Sequence, residues 1–183
     1  IAPTVKTMAE EGTPYSGVLY AGLMLTPDGP KLIEYNCRFG DPECQVLMLR
    51  LESDLGELLL ACAENRLGTM EPARLSDRVA LTVVMAANGY PGTPEKGGAI
   101  RKVKEAEANG AKVFHAGTDL AEDGTLVANG GRVLNVTALG TTVSEAQAAA
   151  YRAVTTIDFP SGFCRHDIGY REVAREAARE QID

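Results

Sequence analysis

Within the run Glu34-Tyr35-Asn36-Cys37-Arg38-Phe39-Gly40-Asp41-Pro42-Glu43, a carboxylate, an amide, a guanidinium and two further acids fall close together. The preceding Lys31-Leu32-Ile33 reads as a strand leaving a Pro27-Asp28-Gly29-Pro30 turn. Side chains alternate across a strand, so Glu34 and Asn36 share one face and Tyr35 takes the other. One carboxylate beside one amide oxygen suits a hard cation such as Mg²⁺, which takes few protein ligands and completes its shell with water and phosphate. If the extended geometry persists, Arg38 arrives on the same side as a planar fork for an anion. A metal, a fixed cation and carboxylates in this order are the parts of a phosphoryl-transfer site.

Each part also has a plain structural reading. Glu34 alone is a solvated strand end, and Arg38 alone a surface or salt-bridge residue. Gly40-Asp41-Pro42 is a turn, with Asp41 as helix N-cap, Pro42 as first helical residue and Glu43 at the positive end of the helix dipole. The functional reading rests on the whole run.

The elements that must position these residues follow from pattern. Residues 4–11 read as the end of a helix closed by Gly12. Residues 16–26 and 31–36 form a hairpin across the proline-flanked turn, and residues 43–51 a helix. A second helix begins at a Ser53 cap and runs to about Arg66, where Gly68 stops it. Leu55, Leu58, Leu59 and Cys62 would form its buried face. Residues 68–77 lack periodicity and mark a linker between two domains, 1–67 and 78–183. In the second, residues 79–86 are almost continuously apolar, as in a strand buried on both faces. The Gly/Pro-rich residues 88–98 read as a structural excursion; they lack the P-loop and G-x-G-x-x-G spacings that would cradle phosphate. Strands are expected near 112–116, 124–128 and 132–138. Thr142-Val143-Ser144-Glu145 opens a helix as a capping box, with Val143, Ala146, Ala150, Val154 and Ile157 on one face. Pro160 and Gly162 end it, and a charged helix from about Tyr170 closes the chain. The fold class is α+β.

Length and charge narrow the function. With 183 residues, 45% of them hydrophobic, the chain can bury a core. A net charge of −7 argues against a general nucleic-acid or anionic-membrane binder. No stretch approaches the ~20 apolar residues of a membrane span. The opening Ile1-Ala2-Pro3-Thr4 has neither an initiator Met nor a leader pattern, so a fragment or processed product is expected. Cys37, Cys44, Cys62 and Cys164 show no C-x-x-C spacing and read as reduced thiols in a cytoplasmic protein, not as a zinc site or a disulfide framework. His115 lies in an apolar run and reads as an ordinary strand residue. His166, in a C-terminal loop, stands too far along the chain to join it in a zinc trio or a triad.

Arg38-Phe39-Gly40-Asp41-Pro42-Glu43-Cys44-Gln45 resembles the signature of the phosphoribosylamine–glycine ligase (glycinamide ribonucleotide synthetase) family, within the ATP-grasp superfamily. Residues 15–24 look like the strand preceding the signature, and residues 50–55 like the segment following it. Residues 131–140 and 162–169 resemble the family's C-terminal domain. The resemblance implies the C-terminal half of an ATP-grasp domain, an antiparallel sheet with helices, followed by a small mostly-β domain with helices. It implies an ATP-dependent carbon–nitrogen ligase of de novo purine synthesis. Its reaction converts ATP, glycine and 5-phosphoribosylamine to glycinamide ribonucleotide, ADP and phosphate through glycyl phosphate. Glu34 and Asn36 would hold Mg²⁺ or Mn²⁺; Arg38 would be catalytic and touch substrate, with Gly40, Asp41 and Glu43 also lining the substrate pocket. The family's N-terminal substrate domain, adenine pocket and phosphate-binding lysines are not found here. The remaining N-terminal part of the same enzyme is therefore an expected partner, and the isolated chain is expected to be inactive. Another ATP-grasp ligase or carboxylase would share the Glu-x-Asn-x-Arg spacing, and a non-enzymatic folding or interaction module is a third reading.

Overall fold

The computed structural model of the chain describes residues 1–180. They fold into two compact units, residues 1–44 with 51–75, and residues 45–50 with 76 onward.

The first unit holds a hairpin and two helices. The helix α1 (Ala2–Glu10) has Pro3 in its first turn, where no intrahelical donor is needed, and Gly12 beyond its end adopts φ 78°. Strands β1 (Tyr20–Thr26) and β2 (Gly29–Asn36) pair antiparallel across Pro27 and Asp28, and Thr26 Oγ1 donates to the Gly29 carbonyl at 2.7 Å. Gly29 and Pro30 thus belong to the strand, not to the turn. Nor does β1 begin at residue 16: Gly17 turns the chain at φ 144°, and the Tyr15 hydroxyl folds back onto the Val18 carbonyl at 2.6 Å. Gly22 pairs with Glu34 and Leu23 with Leu32, which leaves Ile33 as a bulge. The bulge lies before Glu34, so alternation from Glu34 onward is regular and sets Glu34 and Asn36 on a common face.

Helix α2 (Glu43–Arg50) starts one residue after Pro42. Asp41 and Pro42 stay in the preceding turn, which the Cys44 N–H closes onto the Gly40 carbonyl at 2.8 Å. Helix α3 (Leu55–Ala63) is capped by Asp54, whose carboxylate accepts from Glu57 N at 3.0 Å, not by Ser53. The Ser53 hydroxyl accepts instead from Arg74 N. The helix stops at Ala63, ahead of Gly68, where Asn65 takes the left-handed conformation (φ 56°) that its short polar side chain tolerates. Its expected buried face is only partly covered. Ala61 is buried, Leu55, Leu58 and Cys62 are half-buried, and Leu59 and Leu60 are exposed.

The second unit is a four-stranded antiparallel sheet with order β4-β7-β3-β8, formed by β3 (Val79–Ala87), β4 (Ala111–His115), β7 (Arg132–Gly140) and β8 (Gly162–Cys164). A short helix α4 (Val103–Glu107) and a small hairpin, β5 (Thr118–Leu120) with β6 (Leu126–Ala128), complete its middle. α4, β5 and β8 are too short to show periodicity in the sequence. Leu81, Val83 and Met85 of β3 and Leu134, Val136 and Ala138 of β7 point into one core. Thr82 and Val84 on the other face are half-buried, so β3 is not enclosed on both sides as its apolar run suggests. Helix α5 (Val143–Thr156) lies on this sheet with Ala146, Ala150, Ala153 and Val154 buried, the alanines permitting close approach. The Thr142 side chain caps it from Glu145 N at 3.1 Å, while the Glu145 carboxylate reaches back to Thr141 N at 2.8 Å. α5 ends at Thr156, short of Pro160. The last helix, α6 (Tyr170–Glu180), docks through Glu176, which accepts from Val143 N, Ser144 N and Ser144 Oγ at 2.7, 2.9 and 2.6 Å.

Candidate functional site

Glu34 and Asn36 stand on one face of β2 and touch, with Asn36 Nδ2 donating to Glu34 Oε1 at 2.9 Å. Tyr35 turns to the opposite face, where its hydroxyl and Thr4 Oγ1 of α1 share a 2.7 Å hydrogen bond. Across the hairpin, Tyr20 pairs with Asn36 and Gly22 with Glu34. A Cβ on Gly22 would stand 3.3 Å from Glu34 Cγ, so the absent side chain gives the glutamate its room. Glu34 is exposed and Asn36 half-buried. One anionic and one neutral oxygen donor, side by side and reachable from solvent, fit Mg²⁺ or Mn²⁺. Among the described residues no group of three or more His, Cys, Asp or Glu side chains is poised for a metal. A cation held by this pair would need further ligands beyond these two.

A second contact joins the strand to the turn. The Tyr20 hydroxyl donates to Glu43 Oε1 at 3.3 Å, part-buried. Glu43 folds over Gly40, which is buried: a Cβ there would lie 2.3 Å from Glu43 Oε2 and 2.9 Å from its Cδ. The Glu43 and Glu34 carboxylates, with desolvation, push the Tyr20 phenol above its ordinary range, so it stays a donor at neutral pH.

Arg38 is placed differently from the extended reading. β2 ends at Asn36, residues 37 and 38 bend, and Arg38 Nη1 donates to the Phe39 carbonyl at 2.8 Å from an exposed position. Among the described residues it is hydrogen-bonded to neither the Glu34–Asn36 pair nor Glu43. Asp41 is exposed in the turn, and Glu43 is the first residue of α2. All four cysteines are free thiols; burial raises those of Cys44 and Cys164. His115 ends β4 with Nδ1 3.1 Å from Thr118 Oγ1, and the His166 ring stacks on Tyr151.

The structure thus brings together Glu34 with Asn36, and Glu43 with Gly40, and leaves Arg38 and Asp41 on the intervening loop. Sequence reasoning missed Tyr20. The register of the hairpin would have exposed it, because counting back across the turn, with one residue allowed for the bulge, sets Tyr20 opposite Asn36.

The strand-borne acid–amide pair and part of the turn that follows it fall inside a segment similar to an ATP-grasp domain. Residues 1–44 match the family model described as phosphoribosylglycinamide synthetase, ATP-grasp (A) domain. Residues 80–171, half of the chain, match phosphoribosylglycinamide synthetase, C domain. The chain belongs to the phosphoribosylglycinamide synthetase family. It is 61% identical over 178 residues to the phosphoribosylamine–glycine ligase of Mesorhizobium japonicum, an alignment covering 97% of this chain and 41% of that protein. With the chloroplastic phosphoribosylamine–glycine ligase of Arabidopsis thaliana it shares 56% identity, over 96% of this chain and 34% of the relative. The crystal structure of the Thermotoga maritima phosphoribosylamine–glycine ligase superposes with a TM-score of 0.77 at 38% identity, covering 88% of this chain and 39% of that one. The chain therefore spans well under half the length of these relatives.

Proposed function

We propose that the chain supplies the metal-binding strand, the substrate turn and the C-terminal domain of a phosphoribosylamine–glycine ligase. The reaction would join glycine to 5-phosphoribosylamine at the expense of ATP, giving glycinamide ribonucleotide, ADP and phosphate in de novo purine synthesis. Residues 1–67 would be the C-terminal part of the ATP-grasp domain, 68–77 a linker and 78–183 the C-terminal domain. The observation that carries this reading is the 2.9 Å Glu34–Asn36 pair one short loop before Gly40 and Glu43.

A carboxylate does not accept an amine directly, because oxide is too poor a leaving group. Phosphorylating glycine's carboxylate gives an acyl phosphate, from which phosphate departs when the amine attacks. Mg²⁺ or Mn²⁺, held by Glu34 and Asn36, would neutralise charge on the ATP phosphates. Arg38 leaves the Phe39 carbonyl to bind the anion that develops during transfer; a single exposed hydrogen bond is little to give up. Gly40 and Asp41 shape the pocket wall, and Glu43 takes the substrate's amine end. The working compartment is a reducing one, the cytoplasm, in keeping with four free thiols.

Leu23, Met24, Leu25, Leu32 and Ile33 of the hairpin are all at least half exposed, and a two-stranded sheet is marginal by itself. The remaining N-terminal part of the enzyme would cover them and complete the ATP site. The test is reconstitution with the complementary N-terminal portion of the Mesorhizobium japonicum relative. ADP release should then require both glycine and phosphoribosylamine, and Arg38→Ala or Arg38→Lys should lower turnover by about 10² or more. Micromolar ATP binding by the isolated chain, or full activity in Arg38→Ala, would refute the assignment.

A further inference from the structure

The face that bears Glu34 and Asn36 also bears a residue with no part in the proposal so far. Tyr20 stands directly opposite Asn36 in the hairpin register, so its ring starts from the same face. Its hydroxyl does not meet Asn36. It donates to Glu43 Oε1 at 3.3 Å, across the bend that follows β2. Glu43 has a second constraint, because its other oxygen, Oε2, rests where a side chain on Gly40 would be. A glutamate at the first position of a helix is normally a loose, solvated side chain stabilised only by the helix dipole. Here one oxygen accepts from a phenol rooted in the strand, and the other lies over the bare Cα of Gly40.

We propose that Tyr20 is a positioning residue, which with Gly40 fixes the Glu43 carboxylate beside the metal pair as the acceptor for a primary ammonium, that of glycine. The inference rests on Glu43 being a substrate ligand. The chemistry selects an ammonium. A carboxylate offers only acceptors, and a phenol that donates to it leaves the second oxygen free to receive an N–H. Glycine is short, so a carboxylate held by the phenol of the residue paired with Asn36 would suit its amine, with its own carboxylate turned toward the ATP phosphate.

The experiment has two arms. In the reconstituted ligase, Tyr20→Phe and Glu43→Gln should each raise KM for glycine by about tenfold with kcat little changed, as expected for loss of one hydrogen bond in binding. The double variant should be no worse than Glu43→Gln alone, because Tyr20 acts only through Glu43. Additive losses, or an unchanged KM in Tyr20→Phe while Glu43→Gln is impaired, overturn the positioning role and leave the substrate role of Glu43 standing. An unchanged KM in Glu43→Gln overturns both. In the second arm the 183-residue chain, with ¹³C-labelled tyrosine, is followed by NMR at constant pH. The Tyr20 Cζ resonance, which responds to the acceptor of its hydroxyl, should shift in Glu43→Ala relative to the parent chain. An unshifted Tyr20 resonance refutes the Tyr20–Glu43 pairing, whatever the ligase does.

Discussion

Gly40→Ala separates the stability of the turn from its use. A methyl at this position would lie 2.3 Å from Glu43 Oε2, 2.9 Å from its Cδ and 3.2 Å from its Cβ. To regain ordinary contact the carboxylate must retreat by about 1 Å. The obstacle is the far end of a flexible side chain, so a rotamer shift of about 0.5–1.5 kcal/mol relieves it. Against that, Gly40 is not among the positive-φ glycines, so alanine fits the backbone and gains about 0.4–1 kcal/mol by restricting the unfolded chain. The two nearly cancel, and thermal unfolding should move by no more than about 3 °C. The carboxylate cannot make that retreat and keep the Tyr20 hydroxyl, which at 3.3 Å is already near the limit of a hydrogen bond. Losing that hydrogen bond should raise KM for glycine by about tenfold, the effect expected of Tyr20→Phe. Melting curves and steady-state kinetics with glycine varied in the reconstituted ligase read the two effects separately. A Gly40→Ala enzyme of unchanged melting behaviour and full activity would refute the claim that the turn exists to seat Glu43.

Glu34→Gln should abolish the pair's affinity for Mn²⁺, followed by paramagnetic relaxation in the reconstituted ligase, because a neutral amide pair lacks the anionic donor the cation needs. Leu134→Ala removes a side chain with no solvent exposure from the centre of the sheet and should cost about 3 kcal/mol by urea titration. Thr142→Ala should cost about 1 kcal/mol in the same assay through loss of the α5 cap. The Ser144 hydroxyl and the backbone N–H groups of Ser144 and Val143 hold the Glu176 carboxyl below its usual range. Its contribution to docking α6 is thus complete above the unfolded value and disappears as the pH falls through the lowered folded one. Amide protection in α6 should decline below about pH 4, a decline that Glu176→Gln should abolish by removing the protection beforehand.

What was legible in the sequence follows from which interactions are local. The hairpin, the α5 capping box and the C-terminal helix depend on neighbours within a few residues, and all three form close to where pattern puts them. The Glu34–Asn36 pairing is likewise local, fixed by strand alternation alone. Arg38 departs from the face that alternation assigns it, because alternation holds only while the strand lasts and β2 ends two residues earlier. The start of α2 shifted past Pro42, and the α3 cap moved from Ser53 to Asp54, because a hydroxyl with a better-placed partner at Arg74 N is not free to cap. Tyr20 stayed hidden for a different reason. Its partner Glu43 is far along the chain and beyond a bulge, and no periodicity reports a contact of that kind.

The partial burial of α3 bears on the site itself. Its Leu55, Leu58, Leu59 and Cys62 have the spacing of a buried stripe, yet Leu59 is half exposed, as are Leu60 and the hairpin's leucines and isoleucine. Among the described residues Ala61 is the one buried hydrophobic of the first unit, whereas the second unit holds a continuous core. Apolar patterning reports what a surface is made to cover, not whether the covering polypeptide is present. The unit that bears Glu34, Asn36 and Glu43 is therefore patterned for a core it does not by itself possess. Its strands are held by one hairpin ladder and by side-chain contacts such as Thr4–Tyr35, so Glu34 and Asn36 sit on a weakly stabilised part of the chain. A site that needs its oxygens held to a fraction of an ångström cannot rest on such a frame alone. Covering the apolar faces and ordering the proposed metal pair would then be one event.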